Sequence, residues 1–322
     1  GYPAIAYYDR TDSDLVYAKY DGSKWLKTTF ARPNNIGQSA ALAFKPDGNP
    51  VISCVDYTAS NIIIADHDGN SWSLKNVTQS GNAGGACDMV LLSNGDPLIF
   101  FEDKSVGVRV AYRDENIMGG WGFYTIQNTT RAIDSITAHS SPTGSSRPAV
   151  AYLITDSFAD ATLMYSELIL KSGSIISHDI ATVKSGFGIS QTCDLERDPD
   201  GNPAISCHDH SEDRLEFILR NGSGWVVETV DDGELVGKDS SLAFNGSGNP
   251  GISYYDQGNN VLKLALFDGV TWQLEMVDSN DPNGTHSSLA FQDGIVPVIS
   301  YYKQRHLIYA ELRANRLIIP SP

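Results

Sequence analysis

All five tryptophans of the chain stand at one place in a repeated pattern: Trp25, Trp72, Trp121, Trp225 and Trp272. Subtracting residue numbers gives intervals of 47, 49, 104 and 47, the long one being two periods whose middle copy has lost its tryptophan. Pro3, Pro50, Pro97, Pro148, Pro203, Pro250 and Pro297 mark the same period. Proline has no N–H to give a sheet ladder, so it suits the first residue of a strand. Two positions on from each stands Ile5, Ile52, Ile99, Val150, Ile205, Ile252 or Ile299. The stretch from Asp239 to His286 shows one whole period: Ser240–Phe244, Pro250–Asp256, Val261–Leu266 and Trp272–Val277, with turn residues between. Four short apolar or alternating runs joined by turn chemistry describe a four-stranded antiparallel meander.

A strand-only period of about 50 residues reads as a β-propeller, one blade per period. The markers give an all-β, seven-bladed β-propeller as a single domain over residues 1–322, with blades at about 1–38, 39–85, 86–132, 133–190, 191–238, 239–286 and 287–322. Blade 4 is expected to be the least regular, with an expanded turn at 140–146 and no tryptophan. Blade 1 lacks its inner strand, because Gly1 sits just before Pro3. The 316–319 segment lies where an outermost fourth strand of the last blade belongs, so an upstream segment is expected to be missing from this sequence.

The formal charge of −16 argues against nucleic acid as a partner, because phosphate binding needs a basic surface. It reads first as an acidic, soluble surface, with calcium or a cationic ligand as the functional alternatives. No apolar run reaches the roughly 18 to 20 residues of a membrane helix, so no membrane insertion is expected. Cys54, Cys87, Cys193 and Cys207 contain no CxxC pair, which argues against a zinc site. A hairpin turning at Asp200-Gly201 pairs residues summing to 401, or to 400 with a one-residue bulge, so Cys193 and Cys207 lie opposite or one step apart. Both a disulfide there and buried free thiols fit; Cys54 and Cys87 fall in neighbouring blades and are expected to be free.

The turns into the fourth strands read Asp21-Gly22-Ser23-Lys24-Trp25, Asp68-Gly69-Asn70-Ser71-Trp72 and Asp268-Gly269-Val270-Thr271-Trp272, with Asn221-Gly222 in blade 5. These resemble the Asp-box turns of sialidase-like propellers, in which Asp and Gly make the turn and Trp plugs the blade. In that family a residue separates Asp from Gly; here they are adjacent. The resemblance implies the fold. Sialidase activity would further imply an arginine cluster and a tyrosine nucleophile. The Arg-Ile-Pro motif is absent, Arg10, Arg109 and Arg214 fall in different layers of their blades, and seven periods stand where the family has six.

Function is sought on the face where second strands end, since its loops are the longer and more varied. Five copies place Asp there: Asp9, Asp56, Asp103, Asp209 and Asp256. A residue common to most copies reads first as a turn residue bonding its own loop. The residues that differ between copies are the candidate ligand contacts: Arg10, Tyr57, Glu102, His208, His210, Tyr255, His286, Tyr302 and Lys303. His208 and His210 share one side of a strand and suit metal ligation or general-base work; with Tyr255 they are the catalytic candidates. Asp88, Asp134 and Asp194, at inner-strand starts, are the calcium candidates; no other cofactor is implied. The leading expectation is a non-catalytic binding propeller, secreted, periplasmic or on the cell surface, recognising a glycan or a protein surface. The alternatives are a glycosidase or polysaccharide lyase using the His208/His210 face, and a structural module of a larger surface protein.

Overall fold

The computed structural model describes residues 2–140, 147–157, 160–171, 174–186, 188, 192–279, 285–304, 306–313 and 316–318. It is a seven-bladed β-propeller with no helix among the described residues, and so none long and apolar enough to cross a membrane. Blade 1 is β1 (Ala4–Asp9), β2 (Asp14–Tyr20) and β3 (Trp25–Phe30). Blade 2 is β4 (Ile36–Phe44), β5 (Pro50–Asp56), β6 (Asn61–His67) and β7 (Trp72–Asn76). Blade 3 is β8 (Ala83–Leu91), β9 (Pro97–Asp103), β10 (Gly107–Arg113) and β11 (Trp121–Asn128). Blade 4 is β12 (Ala132–His139), β13 (Ala149–Ser157), β14 (Asp160–Lys171) and β15 (Ser174–Ser185). Blade 5 is β16 (Cys193–Arg197), β17 (Pro203–Asp209), β18 (Arg214–Asn221) and β19 (Gly224–Asp231). Blade 6 is β20 (Val236–Phe244), β21 (Pro250–Asp256), β22 (Val261–Phe267) and β23 (Trp272–Asp278). Blade 7 is β24 (Thr285–Gln292), β25 (Val296–Lys303), β26 (His306–Arg313) and β27 (Arg316–Ile318). Each sheet runs in sequence order, and the three-stranded first blade and the outermost placement of β27 match the sequence reading. The chain forms two compact units, residues 1–154 with 165–181 and residues 155–164 with 182–322. The 141–146 part of the expanded blade-4 turn lies outside the described residues.

Both faces of an inner blade are covered, so its strands are apolar almost throughout rather than alternating with polar residues. In blade 2, Ile52, Cys54, Ile63 and Ala65 pack against Leu15, Tyr17 and Phe30 of blade 1. The intervening Val51, Val55, Ile62 and Ile64 pack against Met89, Ile99, Phe101 and Trp121 of blade 3. The tryptophans at the fourth-strand starts join this packing edge-on. Trp72 meets Tyr17 and Phe30 of the preceding blade at 5.2 and 5.0 Å, and Trp272 meets Phe217 at 5.5 Å. The turns before them are fixed by the Asp: Asp68 Oδ1 accepts the N–H groups of Asn70 and Ser71, and Asp268 Oδ1 those of Val270 and Thr271. The glycine beside it takes positive φ, 98° at Gly69, where any side chain would be strained.

Inner strands β4, β8, β20 and β24 begin two or three residues before the blade starts read from the period, and the pairing of each is interrupted. In β4 the pairing shifts at Ile36/Gln38 and again at Gln38/Ala41; β20 does the same, and β24 shifts between Thr285 and Ser288. Ser39, Asp239 and His286 occupy these bulges with φ of 49°, 50° and 56°. A bulge re-aims a side chain and ends regular pairing. Cys193 and Cys207 face each other directly in the β16–β17 ladder, and their sulfur atoms are bonded, with the Cα atoms 4.3 Å apart. That is the close spacing of a non-hydrogen-bonded antiparallel pair. Cys54 and Cys87 are free and buried.

Candidate functional site

The turn from second to third strand has one frame in several blades. The Asp that ends the second strand accepts hydrogen bonds from the turn it opens: Asp9 from Thr11 N, Asp56 from Ala59 N, Asp103 from Ser105 N and Oγ, Asp209 from Ser211 N and Oγ, and Asp256 from Asn259 N and Nδ2. The last residue of the turn is left-handed: Ser13, Ser60, Asp213 and Asn260 have φ of 63°, 49°, 53° and 55°. Small polar residues tolerate that region best after glycine. The shared Asp is therefore a turn residue. The residue after it carries no such bond and is exposed in every copy: Arg10, Tyr57, Lys104, His210 and Gln257.

The frame Asp also takes a cation from the third strand. Arg109 reaches Asp103 at 3.0 Å, and Lys263 reaches Asp256 at 2.7 Å and Asp231 at 3.0 Å. Burial works against these carboxylates' charge, but the hydrogen bonds and cations outweigh it, holding Asp103, Asp231 and Asp256 below the usual range. Blade 5 differs: the equivalent of Lys263 is Glu216, a buried carboxylate beside the buried Asp209. Lys184, from β15, fills the gap. Its Nζ lies 2.5 Å from Asp209 and 2.6 Å from Glu216, and Arg214 adds Nη2 at 2.9 Å from Glu216.

On this blade the variable positions also carry chemistry. His208, last but one in β17, is 1% exposed, and its Nε2 is buried with no hydrogen-bond partner. Burial, followed by the nearby His210 and Lys238, lowers its pKa to about 4, so the ring is neutral near pH 7. The rings of His208 and His210 are 5.6 Å apart, and His210 Nδ1 is 3.7 Å from Asp213 Oδ1. One ligand-type atom from each of His208, His210 and Asp213 lies within 4.8 Å of the other two, the one such group of three among the described residues.

The other candidates are placed variously. Tyr57 stands 58% exposed at its turn, and Tyr302 is partly exposed at the end of β25. Tyr255 is buried and donates to Asn260 Oδ1 at 2.9 Å. Glu102 lies over Gly84, accepts the N–H of Ile133, and has its pKa raised by burial. Lys303 is committed to Asp278 at 2.7 Å, where Tyr301 also donates. His286 points out from its bulge, 82% exposed and 4.0 Å from Asp239. Of the calcium candidates, Asp88 accepts Met89 N and Ala138 N, Asp194 accepts Leu242 N and the Ser241 hydroxyl, and Asp134 is exposed. Asp88 and Asp194 thus tie an inner strand to the next one. Sequence reasoning missed Asp213, Lys184, Glu216, Asp231 and Asp278. Asp213 carries a signal in the sequence, since Ser13, Ser60 and Asn260 fill the same place in other periods.

No protein-family model matches the chain, and a comparison with curated proteins finds no match either. Solved structures do match in fold. The chain is similar to the Hadza microbial sialidase Hz136 at 12% identity and TM-score 0.56, over 95% of this chain and 74% of that one. It is similar to the SapL1 lectin in complex with alpha methyl fucoside at 12% identity and TM-score 0.50, over 99% and 94%. It is also similar to an oligogalacturonate lyase in complex with manganese at 11% identity and TM-score 0.57, over 98% and 83%. At such identities the likeness is one of fold.

Proposed function

We propose that this propeller binds carbohydrate at the blade ends where second strands turn into third strands. The observation that carries the reading is Tyr57. Its turn is rigid: Tyr57 N donates to Asn35 O at 2.8 Å, Asn35 N to Thr58 Oγ1 at 2.9 Å, and Asn34 Nδ2 to Asp56 at 2.7 Å. The ring stands out of the packed blade, 58% exposed, on a turn bonded to Asn34 and Asn35. A flat apolar face next to hydrogen-bonding groups suits a sugar, which offers C–H faces and hydroxyls together. Arg10, His210 and Tyr302 present other chemistry at the corresponding ends of their own blades, so several weak sites would add by avidity. The sialidase, the fucoside-bound lectin and the oligogalacturonate lyase among the similar structures support a carbohydrate ligand. On this reading the protein works outside the cytoplasm, a place that suits the Cys193–Cys207 disulfide.

A second reading, a carbohydrate-active enzyme, is favoured by one observation: the neutral, buried His208 lies beside the exposed His210, their rings 5.6 Å apart. A glycan array followed by a polysaccharide-degradation screen tests both. Binding without product release, weakened at least tenfold by Tyr57→Ala, is the expected result. Release of reducing or unsaturated sugars, abolished by His210→Ala, supports the enzyme instead. No glycan binding and no release from folded protein overturns both and leaves a structural interaction module.

A further inference from the structure

We infer that blade 5 holds a site for one divalent first-row transition-metal ion, ligated by His208, His210 and Asp213. The site does not depend on a carbohydrate ligand. It rests on two histidines that the turn frame does not need and on Asp213, whose left-handed place is filled by serine or asparagine in other blades. The frame's own carboxylate, Asp209, is already committed to Ser211, Glu212 and Lys184. His208 stands where other blades have Tyr8, Val55 and Tyr255, His210 is at the exposed position, and Asp213 replaces a serine or asparagine. All three departures fall in one turn.

The polar atoms are unmet in the way an ion would relieve. His208 is 1% exposed and its Nε2 has no partner; Asp213 Oδ1 is likewise buried without a hydrogen bond. Native structures rarely leave such atoms unsatisfied, and a metal ion is one of the explanations that closes the account. The three ligand atoms lie within 4.8 Å of one another, and His210 Nδ1 and Asp213 Oδ1 are 3.7 Å apart. Ligands bound to zinc at about 2.0–2.1 Å in a tetrahedron sit about 3.4 Å apart, so the set must draw in. The members able to move are the two at the surface, since the His210 and Asp213 side chains are 46% and 45% exposed. The buried His208 is the fixed point.

The donors select the ion. Two imidazoles and one carboxylate suit zinc, manganese, iron, cobalt or nickel; calcium and magnesium prefer oxygen alone. Imidazole binds metal through an unprotonated ring nitrogen, and the unpartnered Nε2 of His208 is the atom available for it. Of the charged groups near His208, Asp213 and Asp209 favour a cation there, and Lys238 and a protonated His210 oppose it. Three protein ligands leave at least one position on the ion for water or a ligand's oxygen.

The test uses the full chain stripped with chelator. Co2+ is titrated while its visible d–d absorption is followed, and Zn2+ and Mn2+ are titrated by calorimetry. Saturation at one equivalent is expected, with affinity falling at least tenfold in His210→Ala and in Asp213→Ser. Both positions are at the surface, and serine already occupies the equivalent of Asp213 in blades 1 and 2, so these variants keep the fold. His286→Ala, which removes another exposed histidine close to a carboxylate, should leave affinity unchanged. The inference is overturned if no saturable binding occurs, if both blade-5 variants bind like the parent, or if binding follows His286.

Discussion

Lys184 offers the sharpest test of how the blades are held together. Its ammonium is the cation that separates Asp209 from Glu216, whose side chains are 1% and 0% exposed. Lys184→Met leaves two buried carboxylates facing each other. Removing one partner of a buried ion pair costs about 3–5 kcal/mol. The lower end applies, because Lys184 is itself 21% exposed and Arg214 remains on Glu216; a loss of about 3 kcal/mol is expected. Blade 6 shows the remedy. There the cation comes from the third strand of the same blade, with Lys263 on Asp256 at 2.7 Å. Adding Glu216→Lys to Lys184→Met copies that arrangement into blade 5, and Arg214 is free to turn to Glu212, already 3.9 Å away. The double variant should recover to within about 1 kcal/mol of the parent, a coupling well outside additivity. Urea unfolding, followed by tryptophan fluorescence and extrapolated linearly to water, reads both quantities. A cost below about 1 kcal/mol for Lys184→Met, or a double variant no more stable than the sum of its singles, refutes the reasoning.

Asp103, Asp209, Asp231 and Asp256 titrate below their unfolded values, so they stabilise the fold above about pH 3.8 and that contribution is lost as pH falls through their folded values. Acid unfolding should therefore concentrate below pH 4, with Asp256→Asn reducing its steepness in a denaturant series. Under denaturing, non-reducing conditions a thiol titration should count two free thiols, Cys54 and Cys87, and four free thiols would remove the bond between the other two. Reducing a bridge across this sequence separation of 14 should cost about 3 kcal/mol, measured by the same unfolding series with and without reductant. Trp121 is buried under Arg113, with the guanidinium 4.1 Å from its ring centre, so Trp121→Ala should cost about 3–5 kcal/mol, against a small change for the exposed Met118→Ala.

The fold was legible because its markers are local. Proline at a strand start, Asp-Gly at a turn and tryptophan at the fourth strand each act within a few residues, and their recurrence counted the blades. The bulges at Ser39, Asp239 and His286 were not legible, because a shift in pairing depends on the partner strand. The site was half legible. The histidines announced themselves by departing from their copies. Lys184 did not, since its role exists only where β15 meets blade 5, and Lys303 and Glu102 looked available until their partners were seen. Asp278 and the backbone N–H of Ile133 had claimed them.

The turn frame has a consequence for how such a chain changes over time. Asp209 and the left-handed Asp213, like their counterparts in other blades, settle the backbone without help from the side chain that directly follows the Asp. Arg10, Tyr57, Lys104, His210 and Gln257 therefore carry no duty to the scaffold. A change at such a position alters what one blade presents to solvent and leaves its neighbours' packing untouched. If these turns bind ligand as proposed, specificity is free to drift one blade at a time, each turn a separate trial on an unchanged chassis.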